Sequence, residues 1–370
     1  MSEAYVHVPA PTLGAFVIEV CVAAGATEVD GRTVADHLVT ANLYGHDSHG
    51  VGMLPKYVDS IASGQLDPKA HAEIRADGAI LSIDGRRGFG QVVAREGIAA
   101  GIARARSEGL ALAALRNAFH IGRIGTYGEQ CAAEGLVSLH FVNVVGHPPL
   151  VAPFRGSDAR FSTNPFCCAI PLGPGKPPFL LDFATSVVAM GKVRVAKNKG
   201  EVMDEGLLLD HQGQPTRDPG VMFPEIRGAL VAMGLHKGYG LALACELLAG
   251  AVAGGRTVQP GTPRGLGIIN NMLSIIVDPQ RLVPDSFLQS EIQAMIDYAK
   301  ASPPADPDLP VLVPGEPERE RMAERMRTGV PIDLATWDEL RGAAHSLGVL
   351  LPEVQAAPRV GSAAVARGGA

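Results

Sequence analysis

Apolar residues along the first seventy positions recur at intervals of three and four: Phe16, Val20 and Ala23, then Val34 and Leu38, then Leu54, Tyr57, Val58 and Ile61. That period places them on one face of successive helices and predicts a small helical unit. From Ala79 the pattern changes. Ile80 to Ile83, a short apolar run, precedes a helical stretch from Gln91 to Glu108, and Leu110 to Leu115 precedes a glycine-rich turn. Leu136 to Val142, Phe166 to Ile170, Pro178 to Phe183 and Ile268 to Val277 are further strand candidates, whereas Thr185 to Lys197 and Lys237 to Ala253 have helical period. The alternation predicts an α/β fold with a large sheet. Between Lys199 and Val231, Gly, Pro and Asp dominate without a period, which predicts an extended excursion across the surface. A proline-rich linker, Ala301 to Pro317, leads to helical patterns at Glu318 to Arg327 and Leu334 to Leu347, expected to rejoin the N-terminal helices.

Composition narrows the class. A chain of 370 residues, 46% hydrophobic and 19% charged, has the apolar surface for two or three domains and is not disordered. The net charge of -6, without a basic run, argues against nucleic acid as a partner. No apolar stretch reaches the ~20 residues of a membrane span, and the first residues lack an export signal. Five scattered cysteines without a C-x-x-C pair read as reduced thiols, so a cytoplasmic protein is expected, with neither a zinc site nor a disulfide framework.

Four polar clusters could carry chemistry. HDSHG (His46 to Gly50) places two imidazoles beside an acid and a hydroxyl; His49 with Ser48 is an acid/base candidate, and the plainer alternative is a capped helix end. A metal there is weakly supported, because no third ligand is suggested. NAFHIGRIGTYGEQ (Asn117 to Gln130) runs from strand through glycine turn to helix. Such a turn can cradle a phosphate with Arg123 beside it, although an ordinary turn is the commoner explanation, and the G-x-G-x-x-G fingerprint is absent. His120 is either a second acid/base group or a core histidine. In LDFATS, Asp182 could orient a histidine, hold a ribose hydroxyl or cap a helix with Thr185. In HKGYG, His236 and Lys237 open a helix where Lys237 could meet phosphate. Neither a Walker A motif nor a G-x-S-x-G elbow occurs, which removes NTPases and serine hydrolases of those types.

Taken in order, HDSHG, NAFHIGRIGTYGEQ, RFSTNPFCCAIP, LLDFATS, HKGYGLAL and LVPGEPE resemble the malate/L-lactate dehydrogenase family. Within it, NLYGHDSHGVGMLPKYV, HIGRIG, VVGHPPLVAPF and DFATS look most like the hydroxycarboxylate dehydrogenases. The resemblance implies an NAD- or NADP-dependent oxidoreductase that interconverts 2-oxo and 2-hydroxy acids as a homodimer. It implies a non-Rossmann nucleotide-binding domain with a large mixed, mostly antiparallel sheet (76–289) and a helical domain built from both chain ends (1–75 with 290–355), while the small and polar residues at 356–370 are by composition expected to form a flexible tail. It also implies roles. His49, His120, Ser48 and Asp182 fall on catalytic positions. His49, Arg123, Ile124, Gly125, Leu181, Asp182, Phe183, Ala184, Thr185, His236, Lys237, Asn271, Pro314, Gly315 and Glu316 fall on cofactor contacts. One departure stands out: many members carry Arg after H-G-V-x to pair with the substrate carboxylate, and here Met53 occupies the place. Larger apolar or aromatic substrates are therefore expected, with Met53 lining their pocket and Arg123 or Arg160 holding the acid group. The alternatives are malate or L-lactate oxidation proper, reduction of a cyclic imine such as piperideine-2-carboxylate, and a catalytically silent nucleotide-binding protein.

Overall fold

The computed structural model describes residues 5–353. Its first half runs β1 (Tyr5–Val8), α1 (Ala10–Ala23), α2 (Glu28–Leu43), α3 (Leu54–Ala62), β2 (Glu73–Asp77), β3 (Ile80–Asp84), α4 (Gly90–Glu108), β4 (Leu110–Phe119), α5 (Gly125–Ala133), β5 (Val137–Val145), β6 (Phe166–Ile170) and β7 (Phe179–Phe183). Then follow α6 (Met190–Lys199), β8 (Leu208–Leu209), β9 (Pro215–Thr216), β10 (Ala229–Leu230), α7 (His236–Cys245), β11 (Ile269–Val277), α8 (Asp285–Lys300), α9 (Glu316–Thr328), β12 (Val330–Asp333) and α10 (Leu334–Ser346). The expectation of a tail at 356–370 lies outside the described residues.

Local chemistry sets several boundaries. Thr27 caps α2 by accepting from the Asp30 amide at 3.1 Å, Asp333 caps α10 by accepting from the Thr336 amide at 2.9 Å, and Gly109 ends α4 in the left-handed region. β1 pairs antiparallel with β12, a ladder the helical reading of the ends did not anticipate. Around it Leu13, Phe16 and Val20 of α1, Leu38 of α2 and Tyr57 of α3 share one core with Val330, Ile332, Trp337 and Leu340. The helical periods of the two termini thus serve a single apolar interior.

The central sheet has seven strands in the order β2-β3-β4-β11-β5-β6-β7. β3 and β4 are parallel, joined by the α4 crossover, and every other neighbouring pair is antiparallel. Helices α4 and α5 cover one face, where Ile83, Ile98, Leu115 and Ile276 form a second core. The mixed, mostly antiparallel sheet agrees with the fold expected from the family resemblance.

Three expectations change. The helix read from Thr185 begins at Met190, because Ser186 bridges Ala232 and the Thr185 carbonyl accepts from the Met233 amide at 2.9 Å, holding that stretch extended. The excursion from Lys199 to Val231 is not bare surface: β10-β8-β9 form a small sheet over a third core that contains Met203, Leu208, Met222 and Leu230. Helix α8, placed with the helical ends by sequence, buries no residue; its Gln293 bonds Lys176 in the β6–β7 connection.

Two buried histidines couple stability to pH. His140 sits between Ser274 Oγ (2.8 Å) and Ser138 Oγ (2.9 Å), and His37 Nε2 accepts from the Arg123 amide at 2.9 Å. Burial pushes both imidazoles down to about 3. The unfolded chain protonates them near ~6.5, so below that pH the unfolded state binds more protons and stability falls toward pH 3, by at most about 2 kcal/mol per histidine at pH 5. Exposed His71, whose pKa Glu96 raises, opposes this by a smaller, solvent-screened amount. The urea midpoint is expected to be clearly lower at pH 5 than at pH 7.5; equal midpoints would contradict the assignment.

Candidate active site

The HDSHG loop follows α2 and is tied down from both chain ends. Asn42 donates through Nδ2 to Asp47 Oδ1 at 2.7 Å and accepts at Oδ1 from the Val51 amide at 2.8 Å. Arg325 of α9 grips Asp47 with two nitrogens, at 2.7 and 3.0 Å, and also donates to the Asn42 carbonyl. From the same helix Glu318 lies 3.8 Å from His46. The loop is therefore fixed as a short 3-10 turn, Asp47–His49, with Ser48 exposed and His49 half-buried. Gly191 of α6 packs against Ser48 so closely that a Cβ there would lie 2.9 Å from Ser48 Cβ.

His49 meets His120, 71 residues away in sequence, at 3.1 Å between Nδ1 and Nε2, with the rings stacked 10° from parallel. His120 Nδ1 in turn lies 2.6 Å from Tyr57 Oη, which accepts from Gln91 Nε2 at 2.6 Å. With Gln91 Nε2 turned toward Tyr57, these contacts are met by one set of tautomers. The Gln91 nitrogen can only donate, so the Tyr57 hydrogen is directed to His120 Nδ1; neutral His120 then carries its proton on Nε2 and gives it to His49 Nδ1. His49 is left with an N–H at Nε2. Burial, reinforced by His46 and Arg123 and opposed by Asp182, lowers His49 to about 4, and burial beside His49 lowers His120 well below the usual range. At neutral pH the pair is uncharged.

The neighbouring turn is held by His37. Gly122 has φ +73°, and a Cβ there would fall 2.2 Å from His37 Nε2, so both backbone and space demand glycine. The turn brings its own counter-ions. Asp182 Oδ2 accepts from the Gly125 amide at 2.7 Å, filling the N-terminus of α5 with a protein carboxylate. Arg123, only 2% exposed, pairs with Glu129 at 2.8 Å and stacks on Tyr44. An open phosphate cradle with a free Arg123 is therefore not what this turn presents. Asp182 bonds neither imidazole.

The remaining candidates divide. β7 carries Leu181, Asp182 and Phe183, followed by Ala184 and Thr185; hydrogen bonds from Met233 to Thr185 and from Val187 to Val231 align this end with the segment entering α7, where His236 and Lys237 are exposed. The Thr185 hydroxyl donates to the Thr163 and Asn164 carbonyls instead of capping a helix. Pro314 accepts from the Leu180 amide at 3.4 Å, and Gly315 joins Arg123 and Tyr44 around a cavity of about 30 Å³, the size of one water. Glu316 is engaged by Lys300 and the Val313 amide. Ile124 is buried. Three residues stand apart. Asn271 is buried between strands, donating to Asn143 Oδ1 and accepting from the Asn117 amide, which leaves its amide no reach to a ligand. Arg160 is paired at the surface with Asp158, and Met53 packs on the terminal core. Among the described residues no group of three His, Cys, Asp or Glu is placed to hold a metal ion.

Sequence reasoning passed over Tyr57, Gln91, His37, Asn42, Glu129 and Arg325. Tyr57 and His49 lie eight residues apart, two helical turns in principle, but Tyr57 also fits the apolar stripe of α3 and reads there as core. The others carry no signal until the fold places them.

The malate/L-lactate dehydrogenase family model matches residues 8–341. The chain is 46% identical over 351 residues to hydroxycarboxylate dehydrogenase B of Escherichia coli (strain K12), covering 94% of this chain and 96% of that protein. The sulfolactate dehydrogenase of Methanocaldococcus jannaschii superposes with a TM-score of 0.82 at 30% identity, covering 93% of this chain and 98% of that one. The Δ1-piperideine-2-carboxylate reductase of Pseudomonas syringae pvar. tomato does so with 0.79 at 28%, covering 91% and 99%. The chain belongs to the malate/L-lactate dehydrogenase family, as a 2-hydroxy acid oxidoreductase.

Proposed function

We propose that this enzyme uses NAD or NADP to interconvert 2-oxo and 2-hydroxy acids with larger or aromatic side chains, with His49 as the acid/base at the reacting oxygen. The observation that carries the reading is the His49–His120–Tyr57 chain, an uncharged proton path with one N–H left over at its half-buried end. The residues present fit a nicotinamide dinucleotide: an exposed lysine and histidine at the uncapped start of α7, and the extended edge from Leu181 to Thr185 aligned beside it. His236 and Lys237 would meet phosphate, and Leu181 to Thr185 would support the remainder. The bound cofactor supplies or takes the hydride. In reduction, His49 carrying a proton on each nitrogen, the second taken from water, gives the Nε2 proton to the former carbonyl oxygen and returns to the neutral form; in oxidation, neutral His49 with its hydrogen on Nδ1 takes the hydroxyl proton at Nε2 as hydride leaves the same carbon. Ser48 lies beside His49 as a hydroxyl that can join this exchange. A neutral pair suits oxidation, because it sets no positive charge against an oxidised nicotinamide.

The substrate class rests on the scarcity of free cations near the pair. Arg123 is held by Glu129 and Arg160 by Asp158, so a carboxylate reaching either must compete with a carboxylate already there. The second reading, cyclic imine reduction, is favoured by the likeness to the piperideine-carboxylate reductase fold. A cytoplasmic homodimer completes the proposal, supported by five free cysteines, four of them buried, and by exposed Phe287, Met295 and Tyr298 on α8.

The deciding experiment is a panel of 2-oxo acids and piperideine-2-carboxylate against NADH and NADPH, in which phenylpyruvate should outrun oxaloacetate and the imine. His49→Asn and His120→Asn should each lower kcat by about 10²- to 10⁴-fold, and losses under threefold in both would remove them from the chemistry. Met53→Arg should raise the oxaloacetate to phenylpyruvate ratio about tenfold or more, the worth of one charge-assisted hydrogen bond. Sedimentation should give twice the 38.6 kDa chain mass, and Phe287→Asp with Tyr298→Asp should shift it toward monomer. A monomer before substitution would refute the dimer.

A further inference from the structure

Gln91 lies in the first turn of α4 and is 1% exposed. Among the described residues its side chain makes one hydrogen bond, to Tyr57, and its Oε1 is buried without a partner. A buried amide oxygen without a protein partner costs stability, and such an orphan calls for an explanation. The chain that Gln91 terminates supplies it.

In the uncharged state three hydrogens run outward: Tyr57 O–H to His120 Nδ1, His120 Nε2–H to His49 Nδ1, and His49 Nε2–H toward substrate. To act as an acid stronger than neutral imidazole, His49 must hold a fourth, taken from water. Both of its nitrogens then carry hydrogen, and His49 Nδ1–H needs an acceptor. The atom facing it is His120 Nε2, so the His120 proton must sit on Nδ1 and point at Tyr57 Oη. The Tyr57 hydrogen is then displaced from His120 and needs an acceptor of its own. Gln91 Oε1 is an unused acceptor on the side chain already in contact with it.

We propose that Gln91 is a positioning residue that terminates the proton chain in either polarity, Nε2 donating to Tyr57 when the imidazole pair is uncharged and Oε1 accepting from Tyr57 when His49 is protonated. A carboxamide suits this because a half-turn exchanges donor for acceptor at the same reach. The charged and titratable groups that face the pair are His46, Asp182 and Arg123 around His49, and His37 and His147 around His120. None belongs to α4, so a neutral replacement of Gln91 leaves the local charges in place.

The test begins with the substrate-free enzyme. Histidine ¹⁵N spectra at neutral pH, assigned with His49→Asn and His120→Asn, should show both rings protonated at Nε2. Gln91→Met keeps the volume and removes donor and acceptor together. It should yield mixed tautomers on both rings, lower kcat about ten- to a hundredfold with KM nearly unchanged, and move the acidic pKa of the kcat/KM profile for reduction downward. A proton on Nδ1 of either ring in the wild-type enzyme overturns the proposal, as does a Gln91→Met enzyme with wild-type tautomers and kcat. Should Gln91→Met fail to fold, the wild-type spectrum decides. Only the kinetic arm rests on the hydride-transfer reading: ordered tautomers in an enzyme inactive on every oxo acid would sink that reading and still support the role of Gln91.

Discussion

Two imidazoles 3.1 Å apart cannot both be charged, and much of the site's architecture follows from that constraint. Burial removes the solvation a cation would need, and the phenol of Tyr57 supplies a hydrogen where a second proton would otherwise have to sit. The result is a pair with a defined direction of hydrogen bonding, open at one end. A lone histidine in solvent would present either nitrogen with its proton on either side. Here the packing of α3, α4 and the end of β4 makes that choice in advance.

Direction is useful only if the open end is held still. His49 lies on a five-residue loop, but Asn42 and Arg325 give that loop a helix-like density of hydrogen bonds. Arg325 comes from α9, some 280 residues further along the chain, and reaches Asp47 because β1 and β12 zip the two ends together. The terminal ladder, the shared apolar core and the bidentate pair thus act in series. Loss of an apolar contact at Trp337 or Leu340 would loosen the HDSHG loop without touching it.

The elements with strong period were legible in sequence: the helices at Gly90–Glu108 and His236–Cys245 and strands such as Phe166–Ile170 lie close to where apolar spacing puts them. The motif residues His49, His120 and Asp182 were legible as polar density in unusual places. Partners were not. Gln91 reads as an ordinary polar residue at a helix start, and Arg325 as one basic residue in a charged helix. Their meaning comes from contacts across tens or hundreds of positions, which no local pattern encodes. Thr185 misled for the same reason, since a hydroxyl before a helical run resembles a cap until the strand beside it claims the backbone.

Arg123 shows why a motif is not yet a site. A basic residue in a glycine turn before a helix suggests an anion from outside, and the fold has supplied two from within, Glu129 on the guanidinium and Asp182 on the helix amide. Such a triad is costly to open, because drawing Glu129 away would leave the buried Arg123 guanidinium without its close counter-ion. The arrangement is better suited to rigid support of the turn behind His120 than to a tight grip on a substrate carboxylate. The substrate class proposed for this enzyme rests on that want of a free cation. A site of that kind would gain affinity with side-chain size, because each added methylene or ring leaves water, and would have little to offer a second carboxylate beyond the cost of desolvating it.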